Sequence, residues 1–392
     1  MKARACARID AVADDLVRVS HEIHAHPELD FREFFASELL VRTANSHGVP
    51  VELGAHGCDT AFAGDVGTGP TVAVMSEYDA LPEIGHGCGH NVIASAGLGA
   101  AIGLASIAGE AGGRLRFLGT PAEEGGGGKL IMASNGALDG VDVAMMVHGA
   151  DADLTEIDAI ALQQLIVEYH GEAAHAAAAP QRGRNALDAA VLGYMAVGAL
   201  RQHILPTERV HGIFLKAGDK PNIVPREASM MWYVRSDTIT SLNSLKPRVL
   251  AALESGGPAT GCTCSHTWVG TPYADMVTNN PLAVLYTQNA ATLGRTIAVP
   301  GSNGHRVVGS TDMGNISHLV PSIHPMIAAA PTGTAIHTEA FAAHAVGALA
   351  DRAIIDGAKS MAMTAIDFWT RPEIRSAVRQ EFETVNSDKD VL

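Results

Sequence analysis

The sequence predicts an α/β protein with a mostly parallel sheet, into which a smaller α+β domain of ferredoxin-like order is inserted. Three observations predict it. Apolar strand-like runs alternate with helical stretches through the first part of the chain, and a strand-helix-strand-strand-helix-strand order follows from about Ile160. A length of 392 residues with 47% hydrophobic content suffices for two cores rather than one.

The chain opens with MKARACARIDAVADDLVRVSHEI, where Ile9, Val12, Leu16, Val19 and Ile23 recur at spacings of three and four, interrupted by Asp14, Asp15 and Arg18. This spacing predicts an amphipathic surface helix and not a signal peptide. TVAVMSEYDALP, Thr71 to Pro82, starts as a buried strand and breaks at Pro82. A second strand runs from Arg114 to about Gly119, and a third, VDVAMMVHG, from Val141. The helical stretch Asn91 to Ala108 separates the first two. In such folds helices cover the sheet faces and ligands sit beyond the carboxyl ends of the strands. The polar residues fall at those ends: Asp79 after the first, Glu123 and Glu124 after the second, His148 closing the third.

From about Ile160, IALQQLIVEYHG reads as a strand, RNALDAAVLGYMAVGALRQHI as a helix, RVHGIFLKAG and REASMMWYVRS as strands, SLNSLKPRVLAALES as a helix and CTCSHTWVG as a strand. The domains are then 1–159 for the first part of the larger one, 160–271 for the insertion and 272–392 for the second part, whose helices complete the first. The terminal NSDKDVL is expected to fray.

A formal net charge of −15 without a Lys/Arg cluster argues against nucleic acid or an anionic membrane as a partner. No stretch is apolar for the ~18 to 20 residues that a membrane span requires, and the protein reads as cytoplasmic. Five cysteines (Cys6, Cys58, Cys88, Cys262, Cys264) are odd and sparse, unlike a disulfide scaffold. Cys262 and Cys264 share a strand face near His266, which packing explains better than a metal.

The stretch EYDALPEIGHGCGHN, Glu77 to Asn91, admits a metal cage, a thiol nucleophile with its base, or a glycine-softened turn. Cys88 and His90 straddle Gly89 at the start of a helix, where unpaired N–H groups and the helix dipole favour a thiolate. PAEEGGGG adds Glu123 and Glu124; adjacent side chains point apart, so one can ligate a metal while the other serves as a general base. An isolated Glu pair is ordinarily a solvated one. The glycines Gly125 to Gly128 lack the Lys-Ser/Thr ending of a phosphate loop and read as a flexible turn. His148 and His337, each more often structural when alone, bring the candidate ligands to five: Cys88, His90, Glu124, His148 and His337. That is enough for two ions sharing the thiolate, an arrangement suited to amide hydrolysis. A thiol hydrolase with Cys88 as nucleophile and His86 or His90 as base would leave the Glu pair, His148 and His337 without a task. A catalytically inactive metal-binding homologue is the third reading.

The chain resembles the M20 metallopeptidases, in the amidohydrolase branch that carries Cys-Gly-His and includes aminobenzoyl-glutamate and dipeptide hydrolases. The resemblance runs from HAHPEL to HTEAF through EYDALPEIGHGCGHN, PAEEGGGGK, GRNALDAAV, KPNIVP and GSTDMGNISHLVP. It implies a metallopeptidase catalytic domain with a lid and dimerisation domain, and a homodimer. It also implies two divalent ions, Zn or Mn, with Cys88 bridging them and His90, Glu124, His148 and His337 completing their shells. Glu123 is then the base that activates water, and Asp79 the carboxylate that orients a ligand. Many members have a metal-binding His at the position of Glu77, and His90 takes over here, which counts against Glu77 as a ligand. His175 in GEAAHAAAAP matches the lid His that polarises the scissile carbonyl, and Asn222 and Arg235 match contacts to a substrate carboxylate. Thr311, Asp312 and His318 resemble a substrate-facing segment without assigned roles. The implied substrate is a small N-acyl or aminoacyl amino acid, either a dipeptide or aminobenzoyl-glutamate-like.

Overall fold

The computed structural model describes residues 1–302 and 306–386, so NSDKDVL from its second residue onward lies outside them. The described residues divide into two compact units: Met1–Asp158 together with those from Met276 to Asn386, and Ala159–Asp275 between them.

In the larger unit, strands β1 (Glu52–Leu53), β2 (Phe62–Gly67), β3 (Thr71–Ser76), β4 (Arg114–Gly119) and β5 (Val143–Met145) join Ser322–Ile323 in one sheet. Its order is β1-β2-β4-β3-β5 and then Ser322–Ile323. The pairs β4–β3, β3–β5 and β5 with Ser322–Ile323 are parallel; β1–β2 and β2–β4 are antiparallel and occupy one edge. Every residue of β3 is buried, as expected of a central strand covered on both faces.

Helix His90–Ala105 packs against β3 and is buried all round except at its last residue, because the N-terminal helices and the long helix Ala348–Thr370 cover its other sides. Small residues permit the close approach: a Cβ on Gly97 would stand 2.1 Å from Ser76 Oγ. Val72, Val74, Leu98, Leu104, Ile354 and Met361 belong to the core built there.

The N-terminal stripe is two helices, Lys2–Asp10 and Ala13–Ala25, rather than one. Ile9, Val12, Leu16, Val19 and Ile23 are all buried, so the break at Ala11 and Val12 keeps the apolar side of both segments on the core. The third strand also divides. β5 ends at Met145, and β6 (His148–Ala150) pairs in parallel with Met326–Ala328 in a separate two-stranded sheet. His148 therefore begins a strand instead of closing one.

The smaller unit has four antiparallel strands, Ala161–His170, Arg209–Ala217, Glu227–Ser236 and Thr263–Tyr273. Their spatial order is fourth, first, third, second, which is the ferredoxin-like arrangement. Helices Ala186–Leu200 and Ile239–Glu254 cover one face around Leu165, Val167, Trp232 and Leu245. Cys262 is buried in that core and Cys264 packs against it, donating to Glu254 O at 3.7 Å. His266 pairs with Glu254 at 2.8 Å instead of turning toward the cysteines.

Candidate active site

The site of the larger unit forms where four separated stretches meet at the carboxyl ends of the parallel strands. After β3 the chain turns through Glu77 and Asp79 and returns as Cys88-Gly89-His90. Gly89 adopts a left-handed conformation (φ 79°) as the N-cap of helix His90–Ala105, which a side chain would strain. After β4, Ala122 (φ 56°) places Glu123 and Glu124. The buried Glu33 carboxylate accepts the N–H groups of Ala122 and Phe31, each at 2.9 Å, and a 2.7 Å hydrogen bond from Thr60, and so fixes that turn. From the far end of the chain comes His337 (φ 63°), whose N–H donates to Gly87 O at 2.8 Å. Non-glycine residues at positive φ cost free energy and gather where geometry matters.

His90 donates from Nδ1 to the carbonyl of Asp79 at 2.9 Å, with Asp79 Oδ1 at 3.1 Å, and Asp79 Oδ2 accepts the Glu124 N–H at 3.0 Å. His90 Nε2 consequently points inward; burial opposes a charge on the ring, yet Asp79 and Cys88 raise the imidazole well above its ordinary value in the protein alone. His148 donates from Nδ1 to Gly149 O at 2.7 Å and presents Nε2 to Cys88 Sγ at 3.5 Å. His337 Nε2 stands 3.5 Å from Glu124 Oε1.

Ligand-type atoms within 4.8 Å of one another form the sets Cys88–His90–His148, Cys88–Glu124–His337, His90–Glu123–Glu124 and Glu77–Glu123–Asp312. Cys88 belongs to the first two. The residues fit divalent cations on a further observation: His90 Nε2, Glu77 Oε2 and Glu124 Oε1 are buried with no hydrogen-bond partner. Leaving three such atoms bare in a dry interior is costly unless a cation meets them.

Burial, helped by the adjacent His324, pushes the His148 imidazole down to about 3, so it is neutral and its lone pair is available. Burial works against an ionised Asp79, yet the His90 imidazole and the backbone N–H groups of Glu124 and Glu123 hold its carboxyl well below the usual range. Burial first, then the charges of Glu77, Glu124 and Asp312, pushes the Glu123 carboxyl well up. Burial raises the Cys88 thiol as well, with Glu124 adding to it. This corrects the expectation that the helix dipole makes a thiolate: within the protein alone, desolvation outweighs the dipole, and a bound cation is the group that reverses the balance.

His86 is also buried; its Nε2 donates to Ile23 O at 3.1 Å, and burial lowers it to about 3. It props helix Ala13–Ala25 through that bond, and its burial makes it a weak base. Asp312 departs from its expected substrate-facing place. It is fully buried, accepting at Oδ1 from Lys129 Nζ at 2.8 Å and at Oδ2 from the Lys129 N–H at 3.0 Å. Thr311, buried too, accepts the Met313 N–H at 3.2 Å, and His318 is half-buried in helix Met313–Leu319. Lys129, Asp312 and His324 have no site role that the sequence assigns. The only signal for Lys129 is its place ending GGGGK, and nothing there announces a partner 183 residues away.

His175, Asn222 and Arg235 lie in the smaller unit. His175 and Asn222 are exposed neighbours: Ala176 N–H donates to Asn222 O at 3.0 Å, and His175 pairs with Ile223 across a bridge. His175 Nδ1 accepts the N–H groups of Ala177 and Ala178 at 3.3 and 3.2 Å, which puts the ring proton of the neutral form on Nε2. Arg235 stands near the other end of strand Glu227–Ser236, its guanidinium 5.5 Å from the Tyr233 ring, and lines a cavity of about 610 Å³ with Arg201, Glu208, Arg209 and His211. Eight residues of extended strand separate Glu227 from Arg235, roughly 26 Å at ~3.3 Å per residue. The structure brings His175 and Asn222 together and does not bring Arg235 to them.

An α/β hydrolase with a cluster of Cys, His and Glu at the strand ends of its larger unit is the class defined by this fold and site, and the chain belongs to peptidase family M20/M25/M40, whose model matches residues 73–364. It is 37% identical over 410 residues to the Xaa-Arg dipeptidase of Mus musculus, covering 100% of this chain and 94% of that protein. It is 28% identical over 452 residues to a subunit of the p-aminobenzoyl-glutamate hydrolase of Escherichia coli K12, covering 96% and 94%. Its fold matches the Bacillus subtilis YXEP protein, a dinuclear metal binding peptidase from the M20 family, with a TM-score of 0.70 at 18% identity, covering 91% and 98%.

Proposed function

We propose that the chain is a two-metal dipeptidase that cleaves the amide bond before a C-terminal amino acid, preferentially a basic one. The observation that carries the reading is the membership of Cys88 in two ligand sets at once, with His90 and His148 on one side and Glu124 and His337 on the other. Divalent ions held there, Zn or Mn by the mixed Cys/His/Glu donors, would supply Lewis acidity to the amide carbonyl and to water. Asp79 fixes the His90 ring and the Glu124 backbone with one carboxylate. Glu123, adjoining His90 and Glu124, takes a proton from the attacking water and returns it to the departing amine. His175, with its Nε2–H, donates to the developing oxyanion. Asn222 and Arg235 receive the substrate carboxylate, Arg235 through its two-pronged geometry.

Within one smaller unit His175 bridges Ile223, ahead of the Glu227 end of strand Glu227–Ser236, whereas Arg235 stands near the other end of that strand. The reading therefore takes one of them from a partner subunit. A homodimer is supported by the edge strand Arg209–Ala217, which is paired on one side and exposes Ile213, Phe214 and Leu215, and by Val191, Leu192 and Met195 exposed on helix Ala186–Leu200. Five free cysteines suit a reducing cytoplasm, and among the described residues no helix is long and apolar enough to cross a membrane.

The preference for a basic C-terminal residue is supported by the higher identity to the Xaa-Arg dipeptidase than to the aminobenzoyl-glutamate hydrolase, both near full length. The test is a hydrolysis panel of dipeptides ending in Arg or Lys, aminobenzoyl-glutamate and N-acyl amino acids with the metal-reconstituted protein. The basic dipeptides should lead in kcat/KM by tenfold or more; aminobenzoyl-glutamate in first place would overturn the preference.

A further inference from the structure

Beside Glu123 lies a buried ammonium that the mechanism above leaves unused. Oxygens of Glu77, Glu123 and Asp312 stand within 4.8 Å of one another, close enough to share one cation. A cation is already there. Lys129 Nζ donates to Glu77 Oε1 and, at 2.8 Å, to Asp312 Oδ1, and the side chains of these three residues are 1% exposed or less. Asp312 Oδ2 also accepts the Lys129 N–H at 3.0 Å, so one carboxylate holds both the ammonium and the first turn of helix Gly128–Ser134. Burial opposes the charge, yet Asp312, Glu77 and Glu123 together push the Lys129 ammonium above its ordinary value. Glu123 meanwhile belongs to a second ligand set, His90–Glu123–Glu124. A divalent ion seated among Glu77, Glu123 and Asp312 would coordinate the Glu123 carboxylate and occupy the lone pair that has to take the proton of water. Three carboxylates so close in a dry interior would draw such an ion in. An ammonium balances the same charge by hydrogen bonds alone, with no coordinate bond.

We propose that Lys129 is a positioning residue that excludes metal: its ammonium fills the carboxylate set of Glu77, Glu123 and Asp312, holds the centre to two ions and keeps Glu123 a base rather than a ligand. The chain thus carries its own cation at the one place where an exchangeable divalent ion would disable it. Being part of the chain, that cation is lost neither to dilution nor to chelator. The assignment rests on the two-metal reading with Glu123 as the base.

The test uses the full-length protein, stripped with chelator and titrated with Mn2+ and with Zn2+, reading ions bound per chain and kcat at each loading. Wild-type protein should bind two ions and keep its kcat in excess metal. Lys129→Met should bind a third ion, with kcat falling by tenfold or more as that ion loads and recovering when the excess metal is dialysed away. Lys129→Gln should behave likewise and serves if the Met variant fails to fold. Adding Asp312→Asn to either removes a donor from the set and should return the count to two. With two ions in wild type, a folded Lys129 variant that also binds only two, or binds a third without loss of kcat, would overturn the proposal alone. A third ion in wild type, or one that persists in the double variant, would overturn it as well. Fewer than two ions in wild type would overturn the two-metal reading and this proposal with it.

Discussion

Asp79 and His90 are joined twice, through the Asp79 carbonyl at 2.9 Å and its Oδ1 at 3.1 Å, while Oδ2 of the same carboxylate holds the Glu124 N–H at 3.0 Å. One side chain thus sets the attitude of an imidazole on one stretch and of a carboxylate on another. Asp79→Asn keeps an oxygen for one of these donors and turns an NH2 group against the other. Metal affinity should fall about 10- to 100-fold. Chelator-competition titration measures it, and an unchanged affinity would remove Asp79 from the support of the centre.

Glu123 is 6% exposed and faces His90 Nε2 at 3.9 Å. Glu123→Ala should lower kcat by about 10²- to 10⁴-fold, the range of a lost general base. Ions bound per chain should stay at the wild-type value. Full turnover in this variant would reassign the base.

Chelation separates the metal and thiol mechanisms. The metal reading expects activity to vanish with chelator and return with Zn2+ or Mn2+. Because burial raises the Cys88 thiol, the stripped protein should also react slowly with iodoacetamide at neutral pH. Activity that survives chelation and dies on alkylation would favour Cys88 as a nucleophile.

Gly97 tests the packing that carries the site. A Cβ there would meet Ser76 Oγ at 2.1 Å and Met75 O at 2.7 Å, the last residues of β3 before Glu77. Gly97→Ala should cost about 1 to 3 kcal/mol of stability by overpacking, read from urea unfolding of the metal-free protein. It should also weaken metal binding, because the strand end that presents Glu77 and Asp79 has to shift.

Ile213→Lys with Leu215→Lys places two charges on the exposed edge strand of the smaller unit. If that edge joins two copies, light scattering should report a monomer where the wild type is a dimer. A dimer that persists would move the interface elsewhere.

Much of this architecture was legible because it rests on local periodicity. The alternation in IALQQLIVEYHG and the apolar run TVAVMS state their own burial, and both strands form over those residues. The division of VDVAMMVHG was not legible: its apolar run is continuous, and the break comes from a strand, Met326–Ala328, that arrives much later in the chain. The site divides along the same line. Cys88, His90, Glu123, Glu124, His148 and His337 announce themselves by chemical type. Lys129 and Asp312 do not, because a lysine ending a glycine run looks solvated until folding buries it against a carboxylate. Cys88 shows the limit of local electrostatics, since the helix terminus beside it was visible in the sequence and the desolvation that overrides it was not.

The insertion of Ala159–Asp275 between the two halves of the larger unit has a consequence for biogenesis. A ribosome delivers Cys88, His90, Glu123, Glu124 and His148 first, then an entire separate unit, and only afterwards the strand Ser322–Ile323 that completes the sheet and the loop carrying His337. A nascent chain therefore holds half a centre, with a thiol and carboxylates still open to the cell, while the smaller unit is free to fold on its own schedule. Loading with metal becomes a late event, coupled to the return of the C-terminal segment, and chains cut short after the insertion would carry an intact smaller unit and a centre that never closes.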